Sequence, residues 1–198
     1  MTNTAIDPLA IIELTNLKAT GKLKDLARHS HLGTVPKWID ELVQEKDYEV
    51  RIALALNPAI THRRDIVQQL AKDKDVNVRY YLASNPAIAC SRESVEHLAA
   101  DEYSHVRFAL ARNPAAVACP EAIQRLAKDS VRDVRESLAS NPELTSFPHE
   151  IINLLSKDRS GHVRYSLTYH WQAGMSLQKA PSCESLKPPG PLETNTSL

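Results

Sequence analysis

Five arginines, Arg51, Arg79, Arg107, Arg135 and Arg164, recur along this 198-residue chain, and each has an acid six residues before it: Glu45, Asp73, Asp101, Asp129 and Asp158. A guanidinium presents a rigid planar fork of donors that matches either a carboxylate or a phosphate. Two chemistries are therefore open to the column. Free arginines along one ridge could track a nucleic-acid backbone or an acidic peptide. Arginines paired with the acids, across the turn or with the next unit, would form a structural ladder that sets a stacking angle. The acids favour the ladder, because an Arg near a helix N-terminus opposes the helix dipole and calls for a compensating carboxylate.

One position after each Arg the column changes character: Ile52, Tyr80, Phe108, Glu136 and Tyr165. A framework position repeats its residue type, whereas one that varies in type faces solvent or a ligand. Ile52, Tyr80, Phe108 and Tyr165 are the candidate partner-binding residues, with Tyr80 and Phe108 the central pair. The competing reading is that these rings fill gaps between units, since aromatic side chains are more often buried than displayed.

The remaining chemistry is sparse. Eight histidines include His29 and His31 as a short pair, and His62 shares a column with Cys90. Neighbouring helices lie about 10 Å apart, whereas zinc ligands converge at roughly 2.0 to 2.3 Å from one ion, so no four-ligand set emerges and no metal is implied. No Gly-x-Ser-x-Gly, phosphate-cradling Gly-rich loop or His-Glu-x-x-His occurs, so neither an enzyme nor a cofactor is expected. Lys plus Arg equals Asp plus Glu at 24 each, and a protein that grips phosphate backbones usually carries a basic excess.

Three cysteines, Cys90, Cys119 and Cys183, are too few and too irregular for a disulfide framework, which suits a reducing compartment. The N-terminal residues lack a basic start and apolar run, and nothing approaches the roughly 18 apolar residues of a membrane span. A cytoplasmic location is expected.

The arginines belong to a repeating frame. Val-Arg followed by Asn-Pro returns at every twenty-eighth position, as Val50-Arg51 with Asn57-Pro58, Val78-Arg79 with Asn85-Pro86, Val106-Arg107 with Asn113-Pro114, and Val134-Arg135 with Asn141-Pro142. Val163-Arg164 has slipped by one residue. Each unit reads as two short helices. The first carries apolar residues at helical spacing, such as Ile66, Val67 and Leu70, and is opened by Pro36, Pro120 or Pro148, with Arg64 and Arg92 in the other copies. The second holds Val-Arg and a small apolar face, such as Val106, Ala109 and Leu110, and is stopped by Asn-Pro.

A fixed period of this size predicts units without cores of their own, which must stack to bury one. The expected fold is all-α, a short right-handed α-α superhelix of about five 28-residue two-helix repeats with a helical N-terminal cap. Asp7-Pro8 opens the cap, and Gly21 stops its helix, so residues 1–25 are assigned to the cap and 26–171 to the array. Trp38 and Trp171 mark the two ends of the array, Trp38 packing against the cap. Residues 172–198, with Lys187-Pro188-Pro189-Gly190-Pro191, read as a disordered Pro-rich tail.

Residues 70–88, Leu-Ala-Lys-Asp-Lys-Asp-Val-Asn-Val-Arg-Tyr-Tyr-Leu-Ala-Ser-Asn-Pro-Ala-Ile, resemble the unit of the variant leucine-rich repeat family, and the match recurs over roughly residues 26–170. That family is all-helical and similar to HEAT and armadillo arrays. The resemblance implies a fold and no catalytic residue. No iron-sulfur cluster follows from it, because residues 1–89 hold no cysteine to match the cluster segment of the family's founding member. The resulting expectation is a non-enzymatic scaffold that binds another protein or a peptide segment on a repeat-lined face. The alternative, drawn from the likeness to HEAT-like bacterial DNA glycosylases, is nucleic-acid binding through the Arg column, which neutral composition disfavours.

Overall fold

Two acids start two of the helices. Asp47 and Asp75 each accept a hydrogen bond from the backbone N–H two residues on, at 2.9 and 2.8 Å, and satisfy one of the donors that a helix N-terminus leaves unpaired. They open α4 (Tyr48–Leu56) and α6 (Val76–Ser84). The same register gives α2 (Leu23–Arg28), α8 (Ser104–Arg112), α10 (Arg132–Ala139) and α12 (Gly161–Leu177). Between them lie α3 (Pro36–Leu42), α5 (Arg64–Ala71), α7 (Arg92–Ala99), α9 (Pro120–Ala127) and α11 (His149–Ser156). The computed structural model describes residues 8–177, which are all-helical, without a strand.

The N-terminal helix, α1 (Pro8–Ala19), ends at Gly21, whose φ of +69° is open to glycine without steric cost. Gly21 N–H donates to Lys18 O at 3.1 Å and Lys22 N–H to Leu17 O at 3.0 Å, which caps the last carbonyls of α1. Lys18 of α1 then lies over the ring of Trp38 in α3, 5.2 Å from its centre.

Packing follows the period. Helices α2, α4, α6, α8, α10 and α12 form one row, each against the next, while α5, α7, α9 and α11 form a second. The valine column (Val50, Val78, Val106, Val134, Val163) and the leucine column of the second-type helices are buried. Leu26, Leu54, Leu82, Leu110 and Leu138 share one such column and have at most 1 % exposure. Burying each fully stabilises the stack by about 1.5–3 kcal/mol. Small residues at Ala53, Ala83, Ala109, Ala111 and Ala139 let neighbouring backbones approach.

Three features differ from the two-helix reading. A third, 3-10 segment follows each second-type helix from α2 to α10, as Leu32–Thr34, Pro58–His62, Pro86–Cys90, Pro114–Ala118 and Leu144–Ser146, and the first four pack on one another in a line of their own. Asn-Pro therefore starts an element as well as stopping one: Asn57 is extended (φ −78°, ψ 124°), and Pro58 takes the first position of the following turn. The boundary expected between residues 25 and 26 falls inside α2, which packs in the row with α4, so within the expected cap only α1 among the described helices lies outside the rows. At the other end α12 continues past Trp171 to Leu177. The rest of the expected tail, with Cys183, lies outside the described residues. Among the described residues no helix is long and apolar enough to cross a membrane.

Candidate functional site

The arginine column lies along the turns that join first-type to second-type helices, and its four inner members are engaged in the same way. Arg51 Nε donates to Asp73 Oδ2 at 2.6 Å and Nη2 to Asp73 Oδ1 at 3.0 Å, a two-point grip on the acid of the next unit. Its Nη1 turns back to the carbonyl oxygens of Glu45 and Lys46 at 2.6 and 3.1 Å. Arg79 holds Asp101, Arg107 holds Asp129, and Arg135 holds Asp158, with Nε–O distances of 2.6 Å throughout. The aspartate does more than pair, since Asp73 Oδ1 accepts from the N–H of Asp75 and Asp73 O accepts from Arg79 Nη1. The result is a continuous chain of alternating charges.

The side chains of these four pairs are 14 % exposed or less. Hydrogen bonding to the carboxylate raises the pKa of each of the four arginines above its already high ordinary value. The Arg135 guanidinium holds the Asp158 carboxyl below the usual carboxylate range. The column's two ends differ. Glu45 contributes its backbone carbonyl, and Leu23 stands one period before Arg51, so among the described residues no arginine grips the Glu45 carboxylate. Arg164 Nη1 donates to Asp158 O at 2.6 Å, while no acid grips its Nε and Nη2 among the described residues.

A second ladder was not legible in the sequence. Asn57, Asn85, Asn113 and Asn141 are at most 6 % exposed. Each side-chain amide donates to the carbonyl of an alanine thirty residues earlier, Ala27, Ala55, Ala83 or Ala111, at 2.7 Å. Its second contact is the carbonyl of the residue 28 positions earlier, at 3.0 to 3.4 Å. Its oxygen accepts from the backbone N–H two residues on, at 2.8 to 2.9 Å. The alanine carbonyls belong to the last turn of a helix, where no intrahelical donor remains. The repeated choice of Asn, where a bare helix stop needs only the proline, was the available signal.

The variable column sits on the second-type row. Ile52, Tyr80 and Phe108 are half-buried against the core, Glu136 is half-buried, and Tyr165 is 64 % exposed. Tyr80 anchors a connected set of rings across two helices: its centroid lies 5.2 Å from Tyr81 and 5.9 Å from His105, which lies 5.7 Å from Tyr103. Phe108 follows His105 one turn along α8. Tyr165 is not joined to this set and stacks instead on Tyr169, 6.3 Å away.

Other candidates stay apart. His29 and His31 lie side by side, with His29 Nε2 3.4 Å from Glu13. Glu96, Cys119 and Glu121 bring ligand atoms within 4.8 Å of one another, but Arg92 already bridges the two carboxylates, at 2.9 Å to Glu96 and 2.5 Å to Glu121. Burial pushes the Cys90 and Cys119 thiols up, which leaves them poor nucleophiles. Shallow grooves of about 640, 390 and 330 Å³ open between successive turns along the arginine ladder. The chain matches no protein-family model and no curated protein.

Proposed function

We propose that this chain is a non-enzymatic interaction scaffold, a right-handed α-α superhelix of about five 28-residue units of the variant leucine-rich repeat type, which holds a segment of another protein on its second-type helices in the cytoplasm. The observation that carries the reading is the connected ring set of Tyr80, Tyr81, Tyr103 and His105, half-buried to exposed on α6, α8 and the residue that precedes α8. Aromatic side chains of this kind supply contact area at low entropic cost and anchor interfaces. The ladder weighs against nucleic acid as the partner. A guanidinium that spends its Nε–Nη2 fork on Asp73, Asp101, Asp129 or Asp158 and its Nη1 on backbone carbonyls keeps a single Nη2 N–H and no two-point fork for a phosphate.

The test is affinity capture from native lysate with the wild-type chain and with Tyr80→Ala/Phe108→Ala, each with and without nuclease. A discrete protein that survives nuclease and disappears with the double variant, at unchanged helicity by circular dichroism, supports the reading. Capture that the double variant leaves intact moves the interface elsewhere. Recovery of nucleic acid, with affinity falling steeply as salt is added, would replace the reading with the alternative.

A further inference from the structure

Charges sort by place along the first-type helices. Arginines at the N-terminal ends find acids: Arg63 pairs with Asp40 and Asp65, Arg64 with Glu93, and Arg92 with Glu96 and Glu121. At the C-terminal ends of α9 and α11, Lys128, Lys157 and Arg159 line the largest of the three grooves along the ladder, about 640 Å³, and none of them pairs with a carboxylate among the described residues. Lys128 and Lys157 directly follow α9 and α11, where a cation suits the helix dipole. The dipole does not account for Arg159, or for Leu154, an apolar side chain in the same groove that stays 37 % exposed. The ladder acids of the groove are spent, Asp129 on Arg107 and Asp158 on Arg135, so the three cations face Glu150 as the one other acid of the lining.

We propose that the groove between α9 and α11 docks a short acidic segment of a partner protein, which sets an apolar side chain on Leu154 and its carboxylates against Lys128, Lys157 and Arg159. The corresponding grooves single it out. Two and three units earlier the place of Leu154 is taken by His97 and Gln69, and that of Arg159 by Glu102 and Lys74. Of the three grooves, only the one between α9 and α11 joins an exposed large apolar side chain to cations.

The same features favour a peptide over a nucleic acid. A phosphate string that continued along the ladder would meet Glu150 in the groove and the exposed Glu102 beyond it, and would offer nothing to Leu154. A short segment ends within the groove. A second copy is a poorer occupant, because its exposed acids Glu41, Glu49, Glu93 and Glu121 are already paired with Lys18, Lys24, Arg64 and Arg92. The groove shares no residue with the ring set of Tyr80, Tyr81, Tyr103 and His105, so this site stands or falls separately from the face proposed above.

The experiment is fluorescence anisotropy with the full chain and a fluorescein-labelled peptide of about ten residues, in which leucines at every third position are flanked by glutamates. The wild type binds this peptide and not its counterpart with Gln for Glu. Lys128→Gln/Lys157→Gln weakens binding about tenfold at unchanged helicity by circular dichroism, while Lys37→Gln on α3 and Tyr80→Ala/Phe108→Ala leave it unchanged. No binding by the wild type, equal binding of the Gln peptide, or indifference to the lysine pair would each overturn the assignment. So would loss of binding in Tyr80→Ala/Phe108→Ala. Tighter binding of a single-stranded oligonucleotide through the same two lysines would replace the peptide with a phosphate backbone, and a dimer in sedimentation that the lysine variant dissolves would replace it with a second copy.

Discussion

Replacing Asn113 by aspartate tests the asparagine ladder at its centre. Asn113 is 3 % exposed, donates to Ala83 O at 2.7 Å and Asn85 O at 3.1 Å, and accepts from Ala115 N–H at 2.9 Å. Ala83 O has no intrahelical substitute, because the N–H four residues on, that of Ala87, is taken by Asn85 Oδ1. Alanine at position 113 leaves Ala83 O and Ala115 N–H without these partners, at about 1–3 kcal/mol each. Aspartate keeps the size and the acceptor for Ala115, yet sets an oxygen against two carbonyl oxygens. A penalty of about 3 kcal/mol for the ionised form corresponds to a carboxyl pKa raised by about two units, to roughly 6. A folded-state pKa above the unfolded value makes the penalty full at neutral pH and progressively smaller as pH falls through about 6 towards 4. Protonation also restores a donor. Thermal unfolding is the assay: about 3 kcal/mol lowers the midpoint of a chain of this size by about 6–12 °C. Asn113→Asp should melt well below the wild type at pH 7 and recover part of the difference at pH 5. A variant that melts with the wild type at pH 7, or falls further behind on acidification, would refute the role assigned to the amide.

The ion-pair ladder yields two further expectations. Arg79→Met strands the Asp101 carboxylate, whose side chain is 3 % exposed, and should cost about 3–5 kcal/mol in urea unfolding. Arg79→Met/Asp101→Leu should cost less than the sum of the single changes by at least ~1 kcal/mol, and additivity within ~0.5 kcal/mol would remove the pairing argument. Acid tests the last pair. The Asp158 pKa is lowered, chiefly by the hydrogen bond from Arg135, so its contribution is present above the ordinary carboxylate pKa of about 4 and is lost as pH falls through the depressed value. Asp158→Asn should be less stable at pH 7 and show a shallower loss of stability below about pH 4. An acid limb identical to that of the wild type would count against this account.

The repeating frame was legible because its columns agree at once: Ile66, Val67 and Leu70 in one helix and Val78 and Leu82 in the other are all buried as their spacing requires. The arginine-acid offset pointed to pairing without fixing the register. The carbonyl six residues back takes Nη1, while the carboxylate comes from the following unit, a choice that depends on how units stack. The 3-10 segments left no trace in the pattern because Pro58–His62 and its counterparts are too short for any apolar period to register. The asparagines carried a local reading, a helix stop before proline, that was complete in itself and hid the bonds reaching back 28 and 30 residues. The extension of α12 was masked by Gly174, which costs a helix interior about 1 kcal/mol and resembles a break.

The two ladders run in opposite senses. Through its asparagine each inner unit donates to the unit before it, and through its arginine to the unit after it. Loss of one unit would thus strip a buried carbonyl of its donor on one side and a buried carboxylate of its cation on the other. Neighbours can hardly outlive one another, because much of what holds each of them belongs to the junctions. The row should melt as one cooperative length, with fraying confined to the terminal helices, and a protease would find few partly opened forms to cut from within.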